Sequence, residues 1–286
     1  MKNKIIITVG MLISVAVLIR LGLPTVLHKA GLHPDYTGVS YEITTGKRAL
    51  IIGSNHAILN APGETDGDET GVAISEMTHP YYTFLEAGMQ VDVASINGGD
   101  IPVDPLSLKF MIITEHDQRY LEDPTLQAKM QNSLPVAEVD FTQYDTIFIA
   151  GGWGAAYDLG YSPILASKIT EAYYAERKPI IGAVCHGLLG LIKAKDQDGK
   201  LLIAGRRMTG VTDKQIKELG ITITPMHPEN ELKKSGAKFE ANTAFRDLFA
   251  THVVIDVEER FVTGQNQNSG LETAHKILML LAKKQS

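Results

Sequence analysis

The residues with the clearest capacity for chemistry surround the single cysteine of this 286-residue chain. An almost wholly apolar run at residues 179–184 ends at Cys185, which is followed by His186, Gly187 and a second apolar stretch. This order predicts a nucleophile elbow, in which a tight strand-to-helix turn projects the thiol and the next residue offers a backbone N–H. The N-terminus of the following helix favours the thiolate, which is the reactive form of cysteine. The alternative is a buried cysteine that packs as a small hydrophobe.

A glycine-rich segment, AGGWGAAYDLG at residues 150–160, follows another apolar run. The backbone N–H groups of Gly151 and Gly152 are suited to binding an oxyanion. Ligands also gather at the carboxyl ends of the strands in parallel sheets. The same pattern fits a phosphate-binding turn or a plain turn. The glycine-rich segment therefore indicates a catalytic site only in combination with Cys185.

Charge and residue types exclude several classes of function. The net charge of −6 and the lack of a basic cluster with interleaved aromatic residues predict no nucleic-acid partner. One cysteine cannot form an intramolecular disulfide or a cysteine-rich zinc site. Because the sequence has neither a histidine pair at i, i+4 nor an HExxH motif, we expect no metal ion.

The elements that must position these residues follow from hydrophobic patterning. Short apolar runs alternate with helical patterns, which predicts an α/β layered fold with a mostly parallel sheet. The predicted strands are residues 48–53, 91–96, 146–152 and 179–185, with shorter candidates at 202–204, 222–224, 252–255 and 260–263. The predicted helices are residues 74–87, 163–177, 212–219 and 271–284. Two long irregular segments, 56–69 and 101–144, are expected to form lids or interfaces.

The N-terminus has a different character. After Lys2 and Lys4, residues 5–19 are uncharged and largely apolar. Together with residues 21–27 they form about 34 Å of helix, which is long enough to span a bilayer. We therefore predict a signal-anchor helix over 1–27, a linker over 28–45 and a catalytic domain over 46–286. The protein is then membrane-anchored, with its soluble domain extracytoplasmic, and a cleaved, secreted form is the alternative.

Several sequence segments carry a family resemblance. The segments at residues 71–95, 96–107, 144–159, 183–187 and 262–270 resemble the PfpI-type superfamily, which has a class I glutamine amidotransferase-like fold. The nearest branch is that of heat-shock chaperones and glyoxalase III enzymes. This resemblance implies a flavodoxin-like three-layer sandwich for residues 46–286, beside the N-terminal hydrophobic helix predicted above.

The resemblance also implies roles for particular side chains. It makes Cys185 the nucleophile, His186 its neighbouring base and Glu76 the carboxyl partner. A carboxyl group buried near sulfur stays protonated and can supply or take a proton at neutral pH. Glu229 aligns with the acid that orients the histidine, and Asp213 competes for this role.

Two places depart from the family pattern: residues 188–190, which affect packing, and Trp153, which bears on the chemistry. Trp153 stands where the glyoxalase motif GGHG has its histidine, and this change alters the polarity of the substrate pocket or the proton traffic in it. The backbone of Gly151, Gly152 and Gly187 remains available to shape an oxyanion or substrate site.

The resemblance predicts a cofactor-independent, cysteine-dependent enzyme of the glyoxalase III type. It is a lyase similar to a D-lactate dehydratase, and a hydrolase or deglycase is the alternative. The substrate is a small reactive carbonyl such as methylglyoxal, a 2-oxoaldehyde, which becomes a 2-hydroxy acid. A homodimer is left open.

Other functions remain open at this point. The chain could be a stress chaperone that binds unfolded clients or senses redox state through its thiolate. It could also be a cysteine amidase or peptidase. The triplet His227-Pro228-Glu229 suggests a glutamine amidotransferase-like hydrolase. However, the triplet follows Cys185 by about half the separation that the resemblance leads us to expect, and the elbow lacks the amidotransferase glutamine.

Overall fold

The fold is built on a long central sheet. A computed structural model describes residues 17, 19–20, 22–44 and 46–284. The strands are β1 (Arg48–Gly53), β2 (Ile58–Leu59), β3 (Asp68–Glu69), β4 (Gln90–Ser95), β5 (Leu134–Pro135), β6 (Thr146–Ile149), β7 (Ile180–Val184), β8 (Arg207–Met208), β9 (Lys238–Phe239), β10 (Val253–Ile255) and β11 (Phe261–Gly264). The main sheet has the strand order β10-β11-β7-β6-β1-β4-β5.

All neighbours in this sheet are parallel except β10 and β11, which pair antiparallel. The central strands are almost wholly apolar because both of their faces are covered, as β7 illustrates with every residue buried. The predicted α/β fold with a mostly parallel sheet is confirmed.

Helices cover the two faces of the sheet. They are α1 (Ile74–Glu86), α2 (Glu115–Glu122), α3 (Pro124–Gln131), α4 (Ala155–Asp158), α5 (Pro163–Tyr174), α6 (Asp213–Leu219), α7 (Pro228–Lys234) and α8 (Gly270–Lys283). On one face, α1 and α8 pack together, and residues such as Met77 and Ile277 join Phe148 of β6 in one core cluster. On the other face, Leu165 of α5 and Leu188 belong to the second cluster. Burying each such side chain stabilises the fold by roughly 1.5–3 kcal/mol.

The topology brings the glycine-rich and cysteine-containing segments together. Strands β6 and β7 are parallel neighbours, with Ile149 paired to Ala183. Their carboxyl ends therefore open at the same edge of the sheet, where the chain continues into Gly151 after β6 and into Cys185 after β7. Helix α1 begins at this same edge and places Glu76 in its first turn.

The prediction of a membrane-spanning helix over residues 1–27 is wrong. In the part of the chain that the structure describes, no helix has the length and apolar character needed to cross a bilayer. Residues 22–29 are helical, but eight residues span only about 12 Å. Residues 1–16, which hold most of the predicted run, lie outside the described residues. The predicted membrane anchor and the extracytoplasmic location that rested on it are withdrawn.

Residues 28–44, predicted to form most of a linker, lie against the folded domain. Leu32 and Ile43 are buried, and the ring of Tyr36 stacks on His275 of α8 at 3.9 Å between centroids. The backbone N–H of His33 donates to Asn268 Oδ1 at 3.0 Å.

Three local predictions also differ from the structure. Residues 101–144, expected to be irregular, contain α2 and α3, whose polar sequences hide the helical period. Residues 202–204 and 222–224 are not strands but turn and irregular chain. The apolar stretch after the nucleophile is a 3₁₀ helix, Cys185–Leu191, in place of the expected α-helix.

Candidate active site

Cys185 lies on a strained turn at the sheet edge. Its backbone φ is +56°, in the left-handed region that costs a residue with a side chain roughly 1–2 kcal/mol. The turn joins β7 directly to the 3₁₀ helix Cys185–Leu191, as the elbow pattern predicts. The residue is only 6% exposed. Backbone strain of this kind persists where the surrounding structure fixes a functional group.

Glu76 reaches the same place from the first turn of α1. It is completely buried, and its Oε2 accepts a hydrogen bond from the backbone N–H of Gly151 at 2.7 Å. The carboxyl group also interacts with the Cys185 thiol. Apart from this contact, Oε1 has no hydrogen-bond partner among the described residues. Burial raises the pKa of Glu76 to about 8, against the smaller opposing effects of the Gly151 and Cys185 hydrogen bonds. The carboxyl group is therefore mainly protonated at neutral pH.

The sulfur of Cys185 is subject to opposing influences. Burial raises its pKa well above the ordinary value, and a negative charge on Glu76 raises it further. The backbone N–H groups of His186 and Gly152 interact with the sulfur and lower the pKa. The start of the 3₁₀ helix thus favours the thiolate, but burial has the larger effect, so the pKa of the resting thiol is raised. While Glu76 keeps its proton, however, the repulsion between the two groups is absent.

His186 is the nearest base. Its Nδ1 lies 3.5 Å from Cys185 Sγ, within reach of the thiol proton. Burial, together with a smaller effect of the His227 charge, lowers the pKa of His186 to about 3, so the ring is neutral at pH 7. Trp153 packs against this ring, with centroids 4.9 Å apart. His186 Nε2 is buried and has no hydrogen-bond partner among the described residues.

Glycine is required at the end of β6. A Cβ on Gly151 would lie 2.7 Å from the backbone nitrogen of His186 and 2.8 Å from Glu76 Oε2. Gly152 has a φ of +90°, and a Cβ there would collide with the backbone of Ala73. A side chain at position 151 would therefore crowd the Glu76 carboxyl group, and one at position 152 would displace the backbone that precedes α1.

The chain was compared with proteins of known sequence and structure. A glutathione-independent glyoxalase of Schizosaccharomyces pombe is 26% identical over 252 residues, which cover 84% of this chain and 99% of the relative. A glutathione-independent glyoxalase of Saccharomyces cerevisiae is 29% identical and covers 73% of this chain and 89% of its own length. Among solved structures, the 24 kDa rapid encystment protein of Francisella tularensis has a TM-score of 0.74 at 30% identity, covering 82% of this chain and 99% of that one.

The sequence pattern of the DJ-1/PfpI family matches residues 69–280. The chain belongs to the DJ-1/PfpI family. The resemblance that the sequence motifs indicated is thereby confirmed, and the matched region contains the whole site described above.

In this DJ-1/PfpI chain, the structure brings together most of the predicted site residues. Glu76, Gly151, Gly152, Cys185 and His186 meet at the sheet edge, as their contacts above show. Trp153 borders them, and Gly187 packs the start of the 3₁₀ helix against β6. The predicted oxyanion role of Gly151 is not available in this arrangement because its N–H is occupied by Glu76. The N–H groups of Gly152 and His186 remain directed at the sulfur.

The prediction that Glu229 or Asp213 orients His186 is wrong. Glu229 Oε2 accepts from the backbone N–H of Asp213 at 2.8 Å, and Oε1 accepts from Lys233 Nζ at 2.5 Å. Asp213 bonds to His227 in place of His186. Both carboxylates lie in the first turns of short helices, where free N–H groups stabilise them. The amidotransferase-like triad suggested by residues 227–229 therefore does not form at Cys185.

One residue was missed as a neighbour of the site. His227 lies close enough to His186 for its charge to act on that ring. The sequence offered a signal, because His227 begins the triplet that precedes α7, but the triplet pointed to a different reaction. Among the described residues, no group of three or more His, Cys, Asp or Glu side chains is arranged to hold a metal ion.

Proposed function

We propose that this protein is a glutathione-independent glyoxalase that converts a 2-oxoaldehyde such as methylglyoxal into a 2-hydroxy acid. The observation that carries this proposal is the contact between a buried, mainly protonated Glu76 and the Cys185 sulfur. A carboxyl group with a pKa of about 8 can both give and take a proton near pH 7. The names of the relatives from Schizosaccharomyces pombe and Saccharomyces cerevisiae support the same activity.

The first step forms a bond between sulfur and carbon. His186 Nδ1, 3.5 Å from Cys185 Sγ, takes the thiol proton as the sulfur adds to the aldehyde carbon of the substrate. The aldehyde oxygen becomes an oxyanion next to the new C–S bond. The backbone N–H groups of Gly152 and His186, which face the sulfur in the resting site, then stabilise this oxygen.

The second step moves hydrogen between the two substrate carbons. Glu76 donates its proton to the neighbouring carbonyl oxygen, and its carboxylate takes the proton from the former aldehyde carbon, which gives an enediolate. Glu76 returns this proton to the second carbon, which produces a thioester of Cys185 with a 2-hydroxy acid. Glu76 is then ionised and regains a proton from the hydroxy acid when the thioester is hydrolysed. One carbon is oxidised and its neighbour is reduced, so the step needs no external oxidant or cofactor.

Water completes the reaction. Hydrolysis of the thioester releases the hydroxy acid and restores the thiol, so that one water is consumed in each turnover. Trp153 lies against the base and makes this side of the site apolar. An apolar wall favours binding of the unhydrated aldehyde. The hydrate has additional hydroxyl groups, whose hydrogen bonds to water would be lost on binding.

The test is turnover of methylglyoxal by the purified full chain without glutathione, measured as hydroxy acid formed. Cys185→Ala should lower kcat by at least about 10³-fold, because it removes the covalent route. Arg207→Gln is the control, since Arg207 is an exposed residue paired with Glu240 away from the site. Equal turnover by wild type and Cys185→Ala would overturn the proposal. Client binding and a homodimer stay predictions.

A further inference from the structure

We propose that His227, held by Asp213, accepts the second ring proton of His186 and so supplies the partner that the catalytic histidine otherwise lacks. His227 is a positioning residue, since it acts on substrate only through His186. The inference deepens the proposed function, but one of its tests needs no substrate.

The missing hydrogen bond is at Nε2 of the His186 ring. Because Nδ1 faces the Cys185 thiol, it is the nitrogen that accepts the thiol proton, and the resting ring therefore carries its own proton on Nε2. This Nε2 is buried without a hydrogen-bond partner among the described residues. A base that becomes doubly protonated during reaction needs a group to stabilise that charge.

His227 has the complementary arrangement. Its Nδ1 lies 3.2 Å from Asp213 Oδ1, so the aspartate fixes the proton on Nδ1 and leaves a lone pair on Nε2. Asp213 is itself held, because its Oδ2 accepts from Asn230 Nδ2 at 2.7 Å. Although His227 precedes α7, its side chain makes no capping hydrogen bond there. The side chain is therefore not used to cap its own helix.

Packing brings His227 to the nucleophile helix. Pro228 and Leu232 of α7 pack around Gly210 together with Leu188 of the Cys185–Leu191 helix. A Cβ atom added to Gly210 would lie 3.3–3.4 Å from all three side chains. His227 directly precedes Pro228, and His186 lies two residues before Leu188. The two histidines thus occupy the start of two elements in direct contact. The side chain of His227 is 23% exposed, so it links the buried ring to solvent.

The proton movements balance along this path. The thiol proton moves to Nδ1 of His186 as the sulfur adds to substrate. Because His186 Nε2 has no hydrogen-bond partner among the described residues, its proton moves to Nε2 of His227 through one water. The positive charge then lies on His227 beside the carboxylate of Asp213, and His186 stays neutral. When the product leaves, the same protons return.

The first experiment compares His227→Gln with wild type in the full chain. We expect kcat for methylglyoxal to fall about 10- to 100-fold, within the usual contribution of acid–base groups, with KM unchanged within about threefold. The matched control is His28→Gln, which removes a histidine paired with Asp35 at 3.1 Å that contacts none of the site residues named above and should leave kcat unchanged.

The second experiment follows alkylation of Cys185 by iodoacetamide, measured by mass spectrometry, and so does not depend on the substrate. His227→Gly should slow alkylation near pH 7 about tenfold, and added imidazole should restore it, because the site is open to solvent on this side. A variant that merely fails to fold would not be rescued. Alkylation by His227→Gly at the wild-type rate would overturn the inference even if methylglyoxal is turned over. If wild type does not turn over methylglyoxal but the alkylation results are as expected, the proposed function fails and the inference about His227 stands.

Discussion

Helix α1 carries two fully buried ionisable residues one turn apart, and they belong to two regions with different chemistry. Glu76 lies in the nucleophile site, which comprises Glu76, Gly151, Gly152, Cys185 and His186. His79 lies in a histidine cluster with His33 and His116, whose rings stand edge to face at 5.6 and 5.3 Å from its own. Both regions hold buried ring nitrogens without hydrogen-bond partners among the described residues.

Burial acts on both regions, but only one of them can do chemistry. In the histidine cluster, burial lowers the pKa of His79 well below its ordinary value, and neighbouring imidazoles lower it further. In the nucleophile site, burial raises the pKa values of both Glu76 and Cys185. Backbone N–H groups oppose this effect by lowering the pKa of each group. The cluster lines a cavity of about 370 Å³, but Cys185, the only thiol in the sequence, is not part of that lining. Catalysis therefore depends on the donors and the thiol around the shifted group, in addition to the shift itself.

The largest expected effect is that of Glu76→Gln on turnover. The amide still accepts from Gly151 and fits the same space, but it cannot transfer a proton. We expect kcat to fall about 10²- to 10⁴-fold. At pH 9, alkylation of Cys185 should be faster than in wild type, because a charged Glu76 raises the pKa of the thiol and the amide does not.

The comparison variant is His79→Gln on the same helix, which should keep turnover within about threefold once folding is verified by circular dichroism. If His79→Gln lost as much activity as Glu76→Gln, the distinction between the two regions would fail. Slower alkylation in Glu76→Gln at pH 9 would contradict the charge repulsion.

The next effect is a pH-dependent change in stability with opposite sign in the two regions. Glu76 has its pKa raised from 4.5 to about 8, so the folded state holds a proton that the unfolded state has lost. Wild type therefore loses stability as pH rises from about 4.5 to 8. The melting temperature of Glu76→Gln relative to wild type should rise across this range by several degrees, since about 1 kcal/mol corresponds to roughly 2–4 °C.

His33 gives the opposite slope. Burial lowers its pKa from 6.5 to about 4, so the unfolded state binds a proton that the folded state does not. Wild type loses stability as pH falls from about 6.5 to 4, and His33→Asn should lose less. Thermal melts of both variants between pH 4 and 9 check the two signs. If the melting temperatures of both variants changed with pH as in wild type, the pKa values of Glu76 and His33 would not be shifted by folding.

The smallest effect is the relief of backbone strain. Cys185 and His33 both have positive φ, at 56° and 49°. Cys185→Gly should be more stable than Cys185→Ala by about 0.5–1 kcal/mol, because glycine removes the left-handed penalty but gains freedom when unfolded. Denaturant midpoints measure the difference, and the pair His33→Gly and His33→Ala serves as comparison. Equal midpoints at position 185 would mean that the turn is not strained.

Predictions that depended on local pattern agree with the structure. The apolar runs at β1, β6 and β7 are strands because a segment buried on both faces must be apolar throughout. The turn at Cys185 follows from the adjoining strand and glycine. Predictions that depended on distant partners did worse. Glu229 was assigned to His186 by alignment, yet it bonds to Asp213 and Lys233. The polar helices α2 and α3 were missed because few apolar residues mark their buried faces.

The sequence by itself determined the layered sheet, the glycine-rich strand end and the cysteine turn, because each depends on residues that are neighbours along the chain. Only the tertiary structure showed that Glu76 accepts from Gly151 and that Glu229 and Asp213 bond to groups other than His186. Glu76 and Gly151 are 75 residues apart in sequence and 2.7 Å apart in space. The free energy of a proton depends on burial and on the dipoles within a few ångströms, and folding alone brings those together.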